Sequence, residues 1–374
     1  MSGYPLLLLA LFTSLRGGMA MSDVYEHIFH ADEAHPRKGE GDIIILRDGR
    51  LLLAYTEFYE GGTDHSPARI MATISEDDGE TWSEPYVLQE NVGGCNVMSA
   101  SFLRLNADEI ALFYLVKNHP TRDCRVYMRR SSDEGQTWSE PVLVTADEGY
   151  FVLNNARVIR TSTGRIIVPV STYRNPEMFG YWKSLVYYSD DDGRSWRRGK
   201  GEVTLPDEVE SRVGLQEPGV IELKDGRLMM YMRTGLGYVY RCYSRDQGET
   251  WSEPEPLDEL KAPTSPVTIA RMPGTGDLIV IWNDKGKFDL NGLSRRGADI
   301  IDGNFQRRAP LSIAISEDDG LTWRKVMDLE PTEISHYPSI DFKGEYVFIT
   351  YYYQGHRHMK FVRVRLPELY RRLE

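Results

Sequence analysis

Cysteine is scarce, with three residues in 374, at Cys95, Cys124 and Cys242. An odd count completes no disulfide framework, and no two of them share a metal-ligand spacing, so neither an oxidised scaffold nor a zinc module is expected. The thiols suit a reducing compartment. Basic runs are missing as well. With 44 Lys and Arg against 56 Asp and Glu the formal charge is −12. Such a surface repels nucleic acid and anionic lipid, and neither is expected as a partner. The chain also lacks a long apolar run. PLLLLALF, residues 5–12, falls well short of a membrane span. No Lys or Arg precedes it as in a secretory signal, although Gly18-Met19-Ala20 offers small residues for cleavage. Residues 1–20 therefore read as a signal segment or as an extension ahead of a translation start at Met19 or Met21. A cytoplasmic location is expected, or a secreted or periplasmic one if residues 1–20 act as a signal.

What is present is repetition. The pattern Ser-x-Asp-x-Gly-x-Thr/Ser-Trp occurs five times, as SEDDGETW from Ser75, SSDEGQTW from Ser131, SDDDGRSW from Ser189, SRDQGETW from Ser244 and SEDDGLTW from Ser316. These Asp-boxes start 55–58 residues apart except for a last interval of 72, which implies an insertion. Each reads as a hairpin tip in which Asp caps backbone N–H groups, Gly supplies a positive φ and Trp packs back between neighbouring units.

A second repeat runs out of phase with the first. Residues 42–55 (DIIILRDGRLLLAY) read as strand, Asp-Gly turn, strand, and residues 219–232 (GVIELKDGRLMMYM) copy them. Looser versions lie at 101–113, 156–170, 266–282 and 339–352. Six inner hairpins and five boxes predict an all-β, six-bladed β-propeller in one domain over residues 21–374. Residues 358–365 should pair with residues 24–29 to close the ring and remove exposed edges. A closed propeller needs no second chain to complete its core, so a monomer or weak dimer is expected.

In a propeller the starts of the innermost strands converge on the axis. Those positions read Glu40-Gly41-Asp42, Cys95-Asn96, Asn154-Asn155, Gln216-Glu217, Thr264-Ser265 and His336-Tyr337. A polar group at the equivalent place in every blade points to a ligand site, with a solvated axial channel as the plain alternative. His356 and His358 read as alternate positions on a strand, and no catalytic metal or other cofactor is expected.

On these residues the chain resembles the sialidases over about residues 36–365. Gln216-Glu217-Pro218 followed by Arg233 is similar to their fourth-blade motif, Arg308 precedes the last Asp-box as a carboxylate-binding Arg does there, and His336-Tyr337-Pro338-Ser339 resembles the segment around their nucleophilic Tyr. The resemblance implies Tyr337 as nucleophile, Glu217 as its base and Asp64, on the loop before the first box, as acid/base. Arg233 and Arg308 would bind a sugar carboxylate, with His65, Asp42, Asn155 and Arg37 nearby. A Tyr hydroxyl, with its pKa near 10, needs such a base, and desolvation is expected to raise Asp64 for its acid role.

One position departs from the family. Where sialidases open their first inner strand with a carboxylate-binding Arg, this chain has Glu40. Glu40 is expected to pair with Arg308 or Arg233 and to select a substrate other than the common acidic sugar. The sequence therefore predicts a sialidase-like retaining exo-glycosidase acting on a terminal sugar. The alternatives are a non-catalytic carbohydrate-binding propeller, or a polysaccharide lyase or hydrolase using another acid pair such as Glu40 with Asp64.

Overall fold

The computed structural model describes residues 24–175 and 180–374, so the signal segment or extension expected at residues 1–20 lies outside the described residues. Within these, six four-stranded antiparallel sheets stand around one axis as propeller blades. Their innermost strands are Arg37–Ile45, Asn96–Arg104, Ile159–Arg160, Gln216–Glu222, Thr268–Arg271 and Ser335–Lys343, in blades one to six. The second strands are the most buried. Leu51–Phe58 is covered along its whole length, since each of its faces meets a neighbouring blade.

The expected closure is present. Val24–Phe29 is the outermost strand of blade six and pairs antiparallel with His358–Arg365, from Val24 opposite Val364 to Phe29 opposite Met359. This explains why six blades carry five boxes. A box joins the third and fourth strands of a blade, and in blade six those strands come from opposite ends of the described chain.

Each box folds as its residues require. In the first, Ser75 Oγ accepts from Gly79 N at 2.8 Å, and Asp77 accepts from the Thr81 amide at 2.8 Å and the Thr81 hydroxyl at 2.6 Å. Gly79 sits at φ +90°. Trp82 packs edge-on against Phe361 of blade six at 5.2 Å, as Trp196 of blade three does against Phe113 of blade two at 5.7 Å. The buried apolar residues fall into six clusters, one centred on each seam between neighbouring blades. The expected insertion lies in blade five, between Leu278–Asn283 and Leu311–Ser316, and delivers Arg308 to the axis. Among the described residues, no helix is long and apolar enough to cross a membrane.

Candidate active site

The axis opens into a cavity of about 350 Å³. The backbone that builds it repeats from blade to blade. The pairing of the innermost strand with its neighbour slips between Gly39 and Asp42, Met98 and Ser101, Gln216 and Gly219, and His336 and Ser339. At each bulge one non-glycine residue takes a positive φ: Glu40 at +51°, Ser99 at +61°, Glu217 at +48° and Tyr337 at +59°. Such backbone costs about 1–3 kcal/mol per residue and persists where the surroundings impose it. All four of these residues line the cavity. The bulge turns a side chain out of the alternating strand pattern and toward the axis.

Across the cavity the Tyr337 hydroxyl donates to Glu217 Oε1 at 2.7 Å. Arg233 Nη1 donates to the other carboxylate oxygen at 2.7 Å. Burial and the Glu217 charge raise the Tyr337 pKa, so its phenol is neutral in the free protein. The Arg308 guanidinium lies 5.8 Å from the centre of the Tyr337 ring, held by the Thr264 carbonyl at 3.0 Å through Nη2. Arg308 Nη1 and Arg233 Nε are buried with no hydrogen-bond partner among the described residues. Unmet donors of this kind around a tyrosine suit an incoming anion.

The first blade corrects the sequence reading. Glu40 pairs with neither Arg308 nor Arg233. Its Oε1 accepts from Arg37 Nη2 at 3.1 Å, and its Oε2 accepts a short bond from Ser99 Oγ. Arg37 lies three residues ahead of Glu40, before the bulge, and is buried behind the cavity wall. Its Nε donates to Tyr352 OH at 2.8 Å and its Nη1 to Asp64 Oδ1 at 2.6 Å. Gly39 makes this approach feasible, because a Cβ there would lie 2.1 Å from the Tyr352 ring.

Asp64 departs from expectation as well. Its side chain stands 66% exposed at the mouth of the site. Desolvation pulls its pKa up, but the Arg37 charge and hydrogen bond outweigh it and hold the carboxyl at about 2. Glu40, by contrast, is buried, and burial raises its pKa despite Arg37. His65 lies beside Asp64 on the exposed rim.

Arg37 and two further residues expected in the cavity wall, Asp42 and Asn155, lie behind it. Asp42 is buried, accepting from the amides of Ile43 at 2.9 Å and Phe102 at 2.6 Å. Asn155 is fully buried and donates to the Gly41 carbonyl at 2.9 Å. The residues that line the cavity there are Ser99 and Asn154. Asn96 instead pins the Asp64 loop through the Asp64 and Ser66 carbonyls at 3.0 and 2.9 Å.

Several lining residues were not found by sequence reasoning, Lys117, His356 and Trp182 among them. Lys117, 4% exposed, donates to the Asp64 carbonyl at 2.7 Å. The His356 ring lies tilted against that of His336 at 4.3 Å between ring centres, and burial with nearby Arg37 lowers its pKa to about 4. Trp182 joins Tyr150 and Tyr173 in an aromatic wall on blade three. Lys117 ends a strand pattern and His356 sits in a turn, so neither carries a periodic signal. His358, two residues on, points elsewhere and accepts from the Ala31 amide at 3.0 Å.

Six blades bearing five Asp-boxes, around an axial pocket of arginines, carboxylates and a tyrosine, define the class of sialidase-type propellers. The chain belongs to the BNR repeat-like domain family, which matches residues 95–349. It is similar to a sialidase of Clostridium perfringens, 28% identical over 241 residues that make up 58% of this chain and 61% of that one. A sialidase of Micromonospora viridifaciens is 24% identical over 86% of this chain and 50% of its own. Against the sialidase of Paraclostridium sordellii, 28% identical over 57% of this chain, it likewise spans less than two-thirds of the relative's length, at 56%. Among solved structures, the Trypanosoma rangeli sialidase in complex with the inhibitor DANA superposes with a TM-score of 0.68 at 20% identity, over 90% of this chain and 56% of that one. A Dyadobacter fermentans protein of unknown function gives 0.71 at 18% identity, over 92% of this chain and all of that one.

Proposed function

We propose that the protein is a glycoside hydrolase that removes a carboxylated terminal sugar with retention of configuration. The observation that carries this reading is the Tyr337–Glu217–Arg233 relay, with bonds of 2.7 Å at both ends. Neutral Tyr337 attacks the anomeric carbon while Glu217 takes its proton, the activated-nucleophile arrangement. Asp64 protonates the departing glycosidic oxygen and forms the aglycone alcohol. A water molecule then attacks the tyrosyl glycoside, Asp64 accepts its proton, and Glu217 returns a proton to the Tyr337 oxygen. A neutral nucleophile avoids setting a carboxylate against an anionic sugar.

Arg308 and Arg233 offer the unmet donors, and Arg37 completes the arginine set from blade one. A Trypanosoma rangeli sialidase of the same fold has been solved in complex with sialic acid, which supports a carboxylated substrate. Asp64 enters with its pKa held low by Arg37, so its acid role requires the substrate carboxylate to take over that guanidinium. Deprived of its cation and placed beside a new anion, Asp64 gains a proton. Glu40 then acts as the buried counter-charge of Arg37, and Lys117 offers a hydrogen bond to the sugar's far side.

Release of aryl alcohol from a panel of aryl glycosides that includes a sialoside tests the reading, with NMR of the first-formed anomer. Cleavage of a carboxylated member with a retained anomer is expected. Cleavage of neutral sugars alone, or an inverted product, would overturn it.

A further inference from the structure

Asn96 begins the innermost strand of blade two, and Lys117 lies directly opposite it on the next strand, Ile110–His119, so their side chains share one face of the sheet. Both are buried. Both reach into blade one for the same atom, the backbone carbonyl of Asp64, at 3.0 Å from Asn96 Nδ2 and 2.7 Å from Lys117 Nζ. A carbonyl oxygen has two lone pairs, and here each has a donor. Asn96 Nδ2 also donates to the Ser66 carbonyl at 2.9 Å. Lys117 makes no ion pair among the described residues, and its other contact is Met98 Sδ at 3.4 Å. A buried ammonium without a carboxylate is costly to keep. This one is spent on a loop carbonyl.

The loop so held joins Leu51–Phe58 to Ala68–Ser75, and residues 60 and 62–65 in it are exposed. Its base is closed by the Tyr59 amide donating to the Pro67 carbonyl at 3.0 Å, and Thr63 and Ser66 bond to each other within it. Among the described residues, every hydrogen bond from residues 60–66 to another part of the chain runs to Arg37, Asn96 or Lys117. The Asp64 carboxylate accepts only the bond from Arg37. In the reaction given above the substrate carboxylate takes over Arg37 before Asp64 hands its proton to the glycosidic oxygen. The side chain is then untied. What still fixes the residue is its own carbonyl, gripped from blade two.

We infer that Asn96 and Lys117 are positioning residues for the acid/base step, holding Asp64 against the glycosidic oxygen through its backbone carbonyl once the substrate has claimed Arg37. This rests on the reading of the axial site given above. Asn96→Leu keeps the side-chain volume and removes the donor, and Lys117→Met keeps the stem and removes the ammonium. Protonation of the departing oxygen matters greatly for a poor leaving group such as methanol and little for 4-nitrophenol. Each variant should therefore lower kcat/KM for the methyl glycoside of the carboxylated sugar at least about tenfold more than for its 4-nitrophenyl glycoside. Amide hydrogen exchange over residues 59–67 of the substrate-free protein should quicken at least about fivefold in each variant, with the other blades unchanged. Equal losses on the two glycosides would come from general damage to the site and overturn the inference, as would unchanged exchange. If the parent turns over neither glycoside, the axial reading fails and exchange alone decides. Faster exchange confined to residues 59–67 then sustains the tie, and unchanged exchange removes it.

Discussion

Tyr337 and Glu217, 120 residues apart, meet through one 2.7 Å hydrogen bond at the propeller axis, each on a bulge with positive φ. The bond joins blades four and six across the cavity, so it is a product of ring closure and not of local sequence. Removing the hydroxyl in Tyr337→Phe should lower kcat by about three orders of magnitude or more, while Glu217→Gln, which keeps an acceptor but cannot take the proton, should cost about 10²–10⁴-fold. Thermal unfolding of both variants should stay close to the parent. Full activity in Tyr337→Phe would remove the nucleophile assignment.

The Arg37–Asp64 pair predicts a proton taken up on binding. The free Asp64 carboxyl sits at about 2 because Arg37 holds it. A bound carboxylate competes for the same guanidinium and adds negative charge, and both effects raise the Asp64 pKa. Calorimetric titration with a carboxylated sugar at pH 5, in buffers of different ionisation enthalpy, should show net proton uptake. Asp64→Asn should abolish that uptake while retaining binding. Uptake unchanged in the variant would move the effect to another group.

Much of the fold was legible in the sequence, and the site was legible up to its bulges. The five boxes and six hairpins repeat because each blade solves the same packing problem, so they announce the ring. Glu217, Tyr337, Arg233 and Arg308 appear at the cavity where motif phase puts them. The first two blades were harder to read because two extra residues enter the innermost strand after Gly39 and after Met98. Counting back from the Asp-Gly turn puts Glu40 at the first arginine position, and Arg37 stands three residues further back, beyond the bulge. In blade two the motif points to Asn96, which stands in phase with Arg37, while Ser99, in phase with Glu40, lines the cavity. A bulge leaves no periodic trace, and turn residues such as His356 have no periodicity to read.

Glu40 gives a separable prediction. It is 2% exposed and shares Arg37 with Asp64. Glu40→Gln removes one negative charge from the arginine set, so KM for a carboxylated substrate should fall several-fold while kcat changes little. Arg37 keeps Asp64 as its partner, so the stability cost should be about 1–3 kcal/mol, below that of stranding a buried charge entirely. Steady-state kinetics with urea unfolding checks both. A large loss of kcat with unchanged KM would make Glu40 an acid or base in the chemistry and favour the other acid pair.

The ring-closing seam carries a pH dependence of its own. Asp42, on the innermost strand of blade one, is buried beside Asp341 on that of blade six, and burial pushes the Asp42 carboxyl up to about 7. Burial and the adjacent Asp42 charge drive Asp341 well above the ordinary carboxyl range. Asp42 accepts two backbone amides, which favour its charged form, so Asp341 is the carboxyl that keeps its proton to the higher pH. Carboxyls raised on folding bind protons in the native state that the unfolded chain has released. Their stabilising contribution is complete below the unfolded pKa near 4 and declines as pH rises toward and beyond 7. Asn at position 341 donates without ionising and leaves Asp42 with no charged neighbour to oppose it. Asp341→Asn should therefore gain about 1–2 kcal/mol on the parent between pH 5 and pH 8, read as a difference in urea midpoints that grows with pH. The comparison at each pH cancels histidines such as His336, whose pKa is lowered on folding and which act in the opposite sense. Parallel midpoints across the range would mean that the pair carries no titrating proton.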